Sequence, residues 1–313
     1  MNARSTNIVT TLPAATELKR AVIQFVRSAS TEVSTHDEGL LPALINKLPA
    51  GTTVYIAHPP KASLADVVRV ALKVEALGFR ASPHIVARRL GNNRALQAAL
   101  RELREGGVKQ VLVIGGDSQR TEGEFSSTIE VLATGSFVEE GFERIGVCGH
   151  PEGHKAIGPT ALWQALSSKQ AFAQRTGVKM HIVTQFGFSP EAVCAWDRRL
   201  TERGVFLPVH VGMAGPTSLP KLIHFAMRCG VGNSLHALMH NLSATSNFVR
   251  LAISPGEMVE GIVRGRATCH ASRLVQPHFF SFGGAIATAT WLRAVIDGNF
   301  DIHPDGGRFL MQA

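Results

Sequence analysis

The feature that most restricts the fold of this chain is a regular alternation of short strand-forming runs with longer stretches of helical periodicity. Eight such runs occur along the 313 residues: VIQFVRSAS (22–30), TVYIAH (53–58), ASPHIVA (81–87), QVLVIGGD (110–117), RIGVCGHP (144–151), MHIVTQFGF (180–188), VFLPVHVGMAG (205–215) and LVQPHFFSFG (274–283). Between them, stretches such as LADVVRVALKVEALG space apolar residues three and four apart, which is typical of amphipathic helices. The alternation predicts parallel strands joined by helical crossovers.

Eight strands, seven crossovers and a final helix at 284–298 predict an α/β fold of the (β/α)8 TIM-barrel type. A doubly wound open sheet is the competing architecture, although no G-x-G-x-x-G follows the first strand. The connection at 217–273 is too long for one crossover. Its helical runs at 219–232, 234–242 and 254–267 predict extra helices between the last two strands. We expect a flexible arm over residues 1–15 and a single barrel domain over 16–313.

Composition limits the classes of function. Hydrophobic residues make up 45% of the chain and charged residues 18%, which is enough for a substantial core. The net charge of +8 is spread along the chain without interleaved aromatic residues, so an anionic small molecule is favoured over nucleic acid. Four widely spaced cysteines without a C-x-x-C pair, and the lack of a leader or membrane-length apolar run, predict a cytoplasmic protein without membrane association. Self-association as a homo-oligomer is left open.

Polar residues and glycines gather where the predicted strands end. They are Glu32, His58, His84, Gly116, Asp117, His150 to His154, Gln185, Gly212 and His278. Each has an ordinary structural explanation, such as a helix cap, a turn residue or an exposed loop side chain. Catalytic residues of (β/α)8 barrels lie at the carboxyl ends of the strands, so the set as a whole favours an active site there.

The stretch GHPEGH at 149–154 superficially resembles the zinc-binding H-E-x-x-H helix. That metal site requires a continuous helix, whereas Pro151 lacks a backbone N–H and the flanking Gly149 and Gly153 are poor helix formers. The preceding RIGVCG is strand-like. We therefore expect a loop at the end of a strand and no metal site.

Five segments occur in an order that resembles a known family. They are TEVS (31–34), PH (83–84), GGD (115–117), GHPEGH (149–154) and TQFGF (184–188). This set is similar to the landmarks of the methylenetetrahydrofolate reductases, which are barrel enzymes, and the resemblance covers roughly residues 20–290. It implies reduction of methylenetetrahydrofolate to methyltetrahydrofolate with electrons from NADH or NADPH, in most members through bound FAD. The glutamate tail of a folate suits a basic protein.

The resemblance also implies roles for individual residues. Glu32 would be the general acid that opens the folate ring, and a carboxyl suits this task if burial raises its pKa. Asp117, Gln185 and Phe186 would bind the substrate, with Gln185 also contacting the hydride donor. The implied cofactor contacts are His84, Gly116, His150, Glu152 and His154.

Departures from the family pattern concern the flavin. Gly115 stands where the family has arginine, His150 where it has tyrosine, and Ala173 where many members have a lysine near the FAD phosphates. Lys169 lies one helical turn earlier and would reach only a shifted cofactor. Because FAD carries two phosphate charges, losing these cations would weaken its binding. A flavin-free enzyme with direct hydride transfer from NAD(P)H is therefore an alternative.

Two further alternatives come from other classes. A barrel metallohydrolase would use several of the thirteen histidines, although no early H-x-H pair and no lysine placed as a bridging ligand is evident. A non-catalytic folate-binding homologue is the second. Such a protein would have no need of an acid at position 32, where this chain has glutamate.

Overall fold

Eight parallel strands pair in a closed ring in the computed structural model, which describes residues 15–117, 120–229, 252–269, 271–302 and 309–312. The order around the ring is β1-β10-β7-β6-β5-β4-β3-β2, so the last barrel strand closes against the first. The ring confirms the predicted (β/α)8 barrel. Its strands are β1 (Ser30–Ser34), β2 (Thr53–Ala57), β3 (Arg80–Val86), β4 (Gln110–Ile114), β5 (Arg144–Gly149), β6 (Lys179–Thr184), β7 (Val209–Ala214) and β10 (Leu274–Phe280).

Helices surround the ring in chain order. They are α1 (Ala15–Arg27), α2 (Leu64–Ala76), α3 (Asn93–Glu105), α4 (Thr128–Ala133), α5 (Ser136–Glu139), α6 (Pro159–Thr176), α7 (Pro190–Glu202), α8 (Leu219–Cys229), α9 (Gly256–Ala267) and α10 (Ala285–Ile296). Two 3-10 helices span Thr35–Leu44 and Ala87–Arg89, and two small antiparallel pairs join β8 (Thr217–Ser218) to β9 (Ala252–Ile253) and β11 (Phe300–Ile302) to β12 (Phe309–Met311). Among the described residues, no helix is both long enough and apolar enough to cross a bilayer.

The first predicted strand was wrong. The run at 22–30 lies mostly in α1, and β1 begins only at Ser30. Val22, Phe25 and Val26 are residue types that favour strands, but together with Leu18 they are buried at a spacing of four, three and one, which is the period of a helix. One apolar face against the barrel outweighs the strand propensity of the individual residues.

The long connection before β10 contains the extra helical structure that its length predicted. Helix α9 packs on α7 and α1 and so takes the place of the ordinary crossover helix, whereas α8 is additional. The predicted helical run at 234–242 lies outside the described residues, as do residues 1–14 of the predicted arm.

Two apolar clusters of the core lie on opposite sides of the barrel strands. The larger fills the space between strands and helices, and its strand residues include Val33, Val54 and Ile85. A small cluster inside the ring consists of Tyr55, Leu112 and Val183, with Ile114 packed against it. Because side chains alternate across a strand, residues two apart share a face. The ring interior therefore also receives buried polar side chains: Ser30, Ser82, His84, His181 and His278.

We predict that Gly146→Ala destabilises the barrel. A Cβ at Gly146 would lie 2.9 Å from His181 Nε2 and 3.0 Å from Leu112 Cδ1, and His181 is held by Tyr55. Overpacking of this kind costs about 1–3 kcal/mol of unfolding free energy, measurable by urea denaturation. Gly39→Ala is the matched control, since its Cβ would meet nothing within 4 Å. An equal loss in both variants would show that packing inside the ring is not the cause.

Candidate active site

The geometry of the ring sets the positions of the predicted site residues. All eight strands are parallel, so their carboxyl ends form one rim. In the ring order, β1 and β5 are four places apart and therefore lie directly across the barrel from each other. Glu32 on β1 thus faces the 149–154 loop across the mouth, while β3, β4 and β6 bring their terminal residues to the arc around that loop.

Glu32 lies in the mouth of the barrel beside two groups. Its side chain is 15% exposed, and its Oε2 is 3.5 Å from Nε2 of His84 on β3. The buried carboxylate of Asp37 follows β1 and is held by the Ser34 backbone N–H at 2.8 Å and the Ser34 hydroxyl at 2.9 Å. The small opening to solvent leaves Glu32 accessible to a bound molecule.

The protonation states of this pair follow from its surroundings. Burial, together with the negative charge of Asp37, raises the pKa of Glu32 to about 8. Burial, together with nearby His58, lowers the pKa of His84 to about 3. At neutral pH the two side chains are therefore a carboxylic acid and a neutral imidazole, not an ion pair. A carboxyl that keeps its proton at neutral pH is suited to general acid catalysis.

Inside the ring, close to this pair, lies a group of buried and half-buried imidazoles that the sequence did not single out, apart from His278. The Tyr55 hydroxyl lies 2.9 Å from His181 Nε2 and 3.4 Å from His210 Nδ1, and these two imidazole rings stack at 4.1 Å. The Ser30 hydroxyl lies 3.0 Å from His278 Nδ1. Burial is the main cause that lowers the pKa of all three histidines, to about 4 for His181 and about 3 for His278. Neutral imidazoles therefore line the interior.

The GHPEGH segment is a loop that follows β5, as predicted. The rings of His150 and His154 lie 5.1 Å apart, edge to face. Burial lowers the pKa of His150 to about 4, with smaller contributions from His154 and Lys169. Within the described ranges, no three His, Cys, Asp or Glu side chains are arranged to hold a metal ion.

Position 187 requires a glycine because of its contact with the 149–154 loop. A Cβ at this position would lie 2.7 Å from Glu152 Oε1, so the carboxylate occupies the space that a side chain at 187 would need. The Gln185 backbone N–H donates to the Gly149 carbonyl at 2.8 Å and ties the two loops together. Between the loops lies a small pocket, lined by His150, Pro151, Glu152, Gly153, Gln185, Phe186, Gly187 and Val193.

An aromatic cluster lies beside this pocket. Phe186, only 2% exposed, packs against Phe282 at 5.0 Å, Phe280 at 5.7 Å and Phe188 at 5.8 Å between ring centroids, and Phe225 of α8 stacks on Phe282 at 4.6 Å. Phe282 has a φ of +47°, a strained backbone conformation for a residue of this size. Of these five, sequence reasoning chose Phe186; the other phenylalanines are half-buried and extend the apolar surface of the rim.

Gly116 and Asp117 follow β4 as predicted. Gly116 has a φ of +95°, and a Cβ there would lie 2.7 Å from Val86 Cγ1, so the turn requires glycine. Asp117 is exposed at the rim. Its charge raises the pKa values of Cys148 and His154, although burial leaves that of His154 below its ordinary value. Asp117 therefore lies on the same side of the mouth as the 149–154 loop.

Two cations near the 149–154 loop, Lys169 and Arg88, are engaged with other groups. A Cβ at Gly115 would meet nothing within 4 Å, so packing does not require glycine where the family has arginine. Lys169 is 7% exposed, interacts with Cys148 and His150, and has its pKa lowered by burial. The Arg88 guanidinium donates to the backbone carbonyls of Ser126 and Gly116. These two cations are poorly placed for a pyrophosphate.

Comparison with known proteins identifies the fold. No family model matches the chain. A Clostridium thermocellum protein that binds two copies of 5-methyl-5,6,7,8-tetrahydrofolic acid is similar in structure, with a TM-score of 0.60, 10% identity and coverage of 90% of this chain and 99% of that chain. The chain is a TIM barrel. Dihydropteroate synthase from Thermus thermophilus is a more distant match, with a TM-score of 0.43, 15% identity and coverage of 84% and 91%.

We predict that Glu32→Gln stabilises the protein at pH 8 but not at pH 4.5. Below the ordinary pKa of 4.5, Glu32 is protonated in both the folded and unfolded states. Between pH 4.5 and about 8 only the unfolded state loses the proton, so wild-type stability falls across this window and then levels off. Glutamine is neutral throughout, and its relative gain at pH 8 is on the order of 2–4 kcal/mol.

Urea denaturation of both proteins at the two pH values measures this gain. Glu102→Gln on α3 is the matched control, because its side chain is exposed and the substitution removes the same charge. A gain from Glu32→Gln that does not grow with pH would contradict the assignment of a neutral carboxyl.

Proposed function

We propose that this protein is a folate-binding enzyme that reduces methylenetetrahydrofolate to methyltetrahydrofolate with a hydride from NADH or NADPH. The observation that carries the proposal is Glu32, a carboxyl in the barrel mouth whose pKa is raised to about 8. Reduction of this substrate requires an acid, because a ring C–N bond must break before hydride can be accepted. A buried carboxyl that keeps its proton at neutral pH supplies that acid.

Folate as the substrate has three lines of support. The Clostridium thermocellum protein with the same fold binds a reduced folate, so a barrel of this type is able to hold such a molecule. The ordered segments TEVS, GGD, GHPEGH and TQFGF resemble the folate reductases, and their polar residues lie around one rim. The net charge of +8 also favours a substrate with an anionic tail.

The proposed reaction balances with one proton and one hydride. Glu32 gives its proton to the nitrogen that leaves the methylene carbon, the C–N bond breaks, and an iminium forms between that carbon and the other nitrogen. Hydride from the nicotinamide adds to the methylene carbon and gives the methyl product and NAD(P)⁺. Asp117 accepts hydrogen bonds from the pterin amino and ring N–H groups, and Gln185 contacts both the pterin and the hydride donor.

The rim also offers an apolar surface. The buried ring of Phe186 supports Phe188 and Phe282, and both of these are half-buried, so apolar ring surface remains at the rim for contact with a substrate. Glu32 on β1 is next to β10 in the ring and would meet the leaving nitrogen from that side of the mouth. Such an arrangement would hold the reacting atoms beside the acid, which is how orientation contributes to rate.

FAD remains a prediction for this protein, together with contacts from His84, Gly116, His150, Glu152 and His154. Because the nearby cations are poorly placed for its phosphates, the proposed steps do not pass through FAD. The absorption spectrum of the purified protein tests whether flavin is bound. Oxidation of NADH and NADPH, each with and without added FAD, then tests whether turnover requires it.

We predict that Glu32→Gln lowers folate-dependent NAD(P)H oxidation by about 10²–10⁴-fold, the usual contribution of a general acid. Glutamine keeps the shape of the side chain but cannot donate an acidic proton. Folate binding, measured by calorimetry, should persist. Glu102→Gln again serves as the control.

Three outcomes separate the alternatives. Near-normal turnover by folded Glu32→Gln would refute the role of the acid. Folate binding without oxidation under any of the four wild-type conditions would identify a non-catalytic folate-binding protein. No folate binding and no oxidation would remove the folate proposal altogether.

We predict that Asp117→Ala mainly weakens folate binding. Its proposed hydrogen bonds orient the pterin in the ground state and in the transition state alike, so their loss should raise KM with little change in kcat. A hydrogen bond to a charged group contributes about 1.5–3 kcal/mol, which corresponds to a loss of roughly 10–100-fold in affinity. Calorimetry of the variant measures this loss, and an unchanged affinity would contradict the assigned role.

A further inference from the structure

His84 directs a ring nitrogen at the proposed acid. Its side chain is buried, and its Nε2 lies 3.5 Å from Glu32 Oε2. Nε2 makes no hydrogen bond to any other group among the described residues. A buried polar atom of this kind costs free energy, so its position beside the acid calls for a functional explanation. Hydrogen bonds among catalytic groups are often long before substrate binds and shorten afterwards.

The two side chains approach each other across β2. Glu32 on β1 pairs in register with Tyr55 on β2, and Tyr55 pairs with Ser82 on β3, two residues before His84. Two residues further along β2, the same face of the strand carries Ala57, whose side chain is a single methyl group. A small residue here lets the imidazole reach over the middle strand to the carboxyl. The His84 ring also contacts the Tyr55 ring edge to face, at 6.2 Å between centroids.

We propose that His84 is a positioning residue for Glu32: its Nε2–H donates to Oε2, and the acidic proton is thereby kept on Oε1, where it meets the substrate in the mouth. The inference rests on the proposed role of Glu32 as an acid. A neutral imidazole has one donor and one acceptor nitrogen, so its tautomer decides which carboxyl oxygen keeps the proton. If Nε2 were instead the acceptor, Glu32 would direct its proton at His84 and away from the substrate.

The contact becomes stronger as the acid reacts. Once Glu32 has given up its proton it is a carboxylate with little exposure to solvent, and the charge of Asp37 opposes its own. A hydrogen bond from His84 to this carboxylate is charge-assisted, and such bonds are roughly twice as strong as those between neutral groups. His84 therefore stabilises the state after proton transfer more than the state before it. An interaction of this kind raises kcat rather than lowering KM.

Three other ionisable side chains lie near His84. His58 follows β2, and Tyr55 contacts the rings of both His84 and His278. Burial lowers the pKa of His58 to about 4 and that of His278 to about 3, and it raises the pKa of Tyr55. All three are therefore uncharged around pH 8, where Glu32 titrates. A change in the pKa of Glu32 when His84 is replaced thus reports on the contact between these two side chains.

Two amide substitutions separate the hydrogen bond from the polarity of the site. His84→Gln places a side-chain N–H near the position of Nε2, whereas the amide of His84→Asn is one methylene shorter and ends near the position of Nδ1. His181→Asn is the matched control, because His181 is buried inside the ring like His84 but its Nε2 faces the Tyr55 hydroxyl at 2.9 Å. Thermal unfolding confirms that each variant is folded before it is compared with wild type.

The first experiment does not depend on folate. Infrared titration follows the carbonyl band of protonated Glu32, which Glu32→Gln identifies, and the wild-type midpoint should lie at about pH 8. A donor to Glu32 favours the charged form, so its loss in His84→Asn should raise the midpoint by on the order of one pH unit and move the carbonyl band to higher wavenumber. His84→Gln and His181→Asn should stay near wild type. A midpoint in His84→Asn that falls or does not move would overturn the proposal, since a fall would mean that Glu32 is the donor.

The second experiment measures folate-dependent oxidation of NAD(P)H. His84→Asn should lower kcat roughly 10–100-fold with little change in KM, which is the usual effect of losing a hydrogen bond to a charged group. His84→Gln should recover most of this loss, because its N–H reaches the carboxyl. A rise in KM with kcat unchanged would place His84 in the binding of substrate or cofactor, and the positioning role would be rejected.

Wild-type protein decides the inference if the His84 variants do not fold. With ¹⁵N-labelled histidine, NMR should show the His84 proton on Nε2, and its signal should move as Glu32 ionises near pH 8 but stay constant in Glu32→Gln. A proton on Nδ1 would overturn the inference. If wild type shows no folate turnover, the proposed function fails, while the infrared and NMR results still decide the hydrogen bond. The two failures are therefore distinguishable.

Discussion

The cost of placing a charged carboxylate inside a protein governs this structure. Glu32 lies where ionisation is opposed by burial and by Asp37, so its most stable form at neutral pH carries a proton. Burial likewise keeps the neighbouring imidazoles uncharged, because a buried histidinium would require a compensating anion. The interior of the ring is thus polar without being charged. Hydrogen bonds from Tyr55 and Ser30 help to satisfy the buried nitrogens, which would otherwise destabilise the fold.

Much of the fold could be predicted from the sequence, because the spacing of hydrophobic residues and the order of strands and helices are visible in one sequence. The alternation of strands and helices identified the barrel, and seven of the eight strands fell where predicted. The failure at residues 22–30 came from judging Val22, Phe25 and Val26 by residue type rather than by spacing. Their burial on one helical face shows that the spacing of the apolar residues was the better guide to the secondary structure of this segment.

The candidate site was only partly accessible to sequence reasoning. Strand ends identified Glu32, Asp117 and Gln185 because the carboxyl ends of parallel strands always meet at one rim. His181 and His210 were missed because a polar residue in mid-strand does not reveal which face it occupies until the register is known. A signal was present, since Ser82 and His84 are two residues apart in a mostly apolar strand, and Ser30 and Glu32 have the same spacing on β1. The approach of Glu152 to Gly187 depends on two separate loops, so neither segment alone would have indicated it.

The closure of the ring has a consequence for the order in which the chain becomes competent. Glu32 lies on the first strand, but β1 pairs on one side with β10, and the Ser30 hydroxyl lies 3.0 Å from His278 Nδ1 of that last strand. All residues from β1 to β10 must therefore have been synthesised before the acid acquires its complete surroundings. The raised affinity for a proton is thus a property of the finished ring, and it would appear at the last step of assembly.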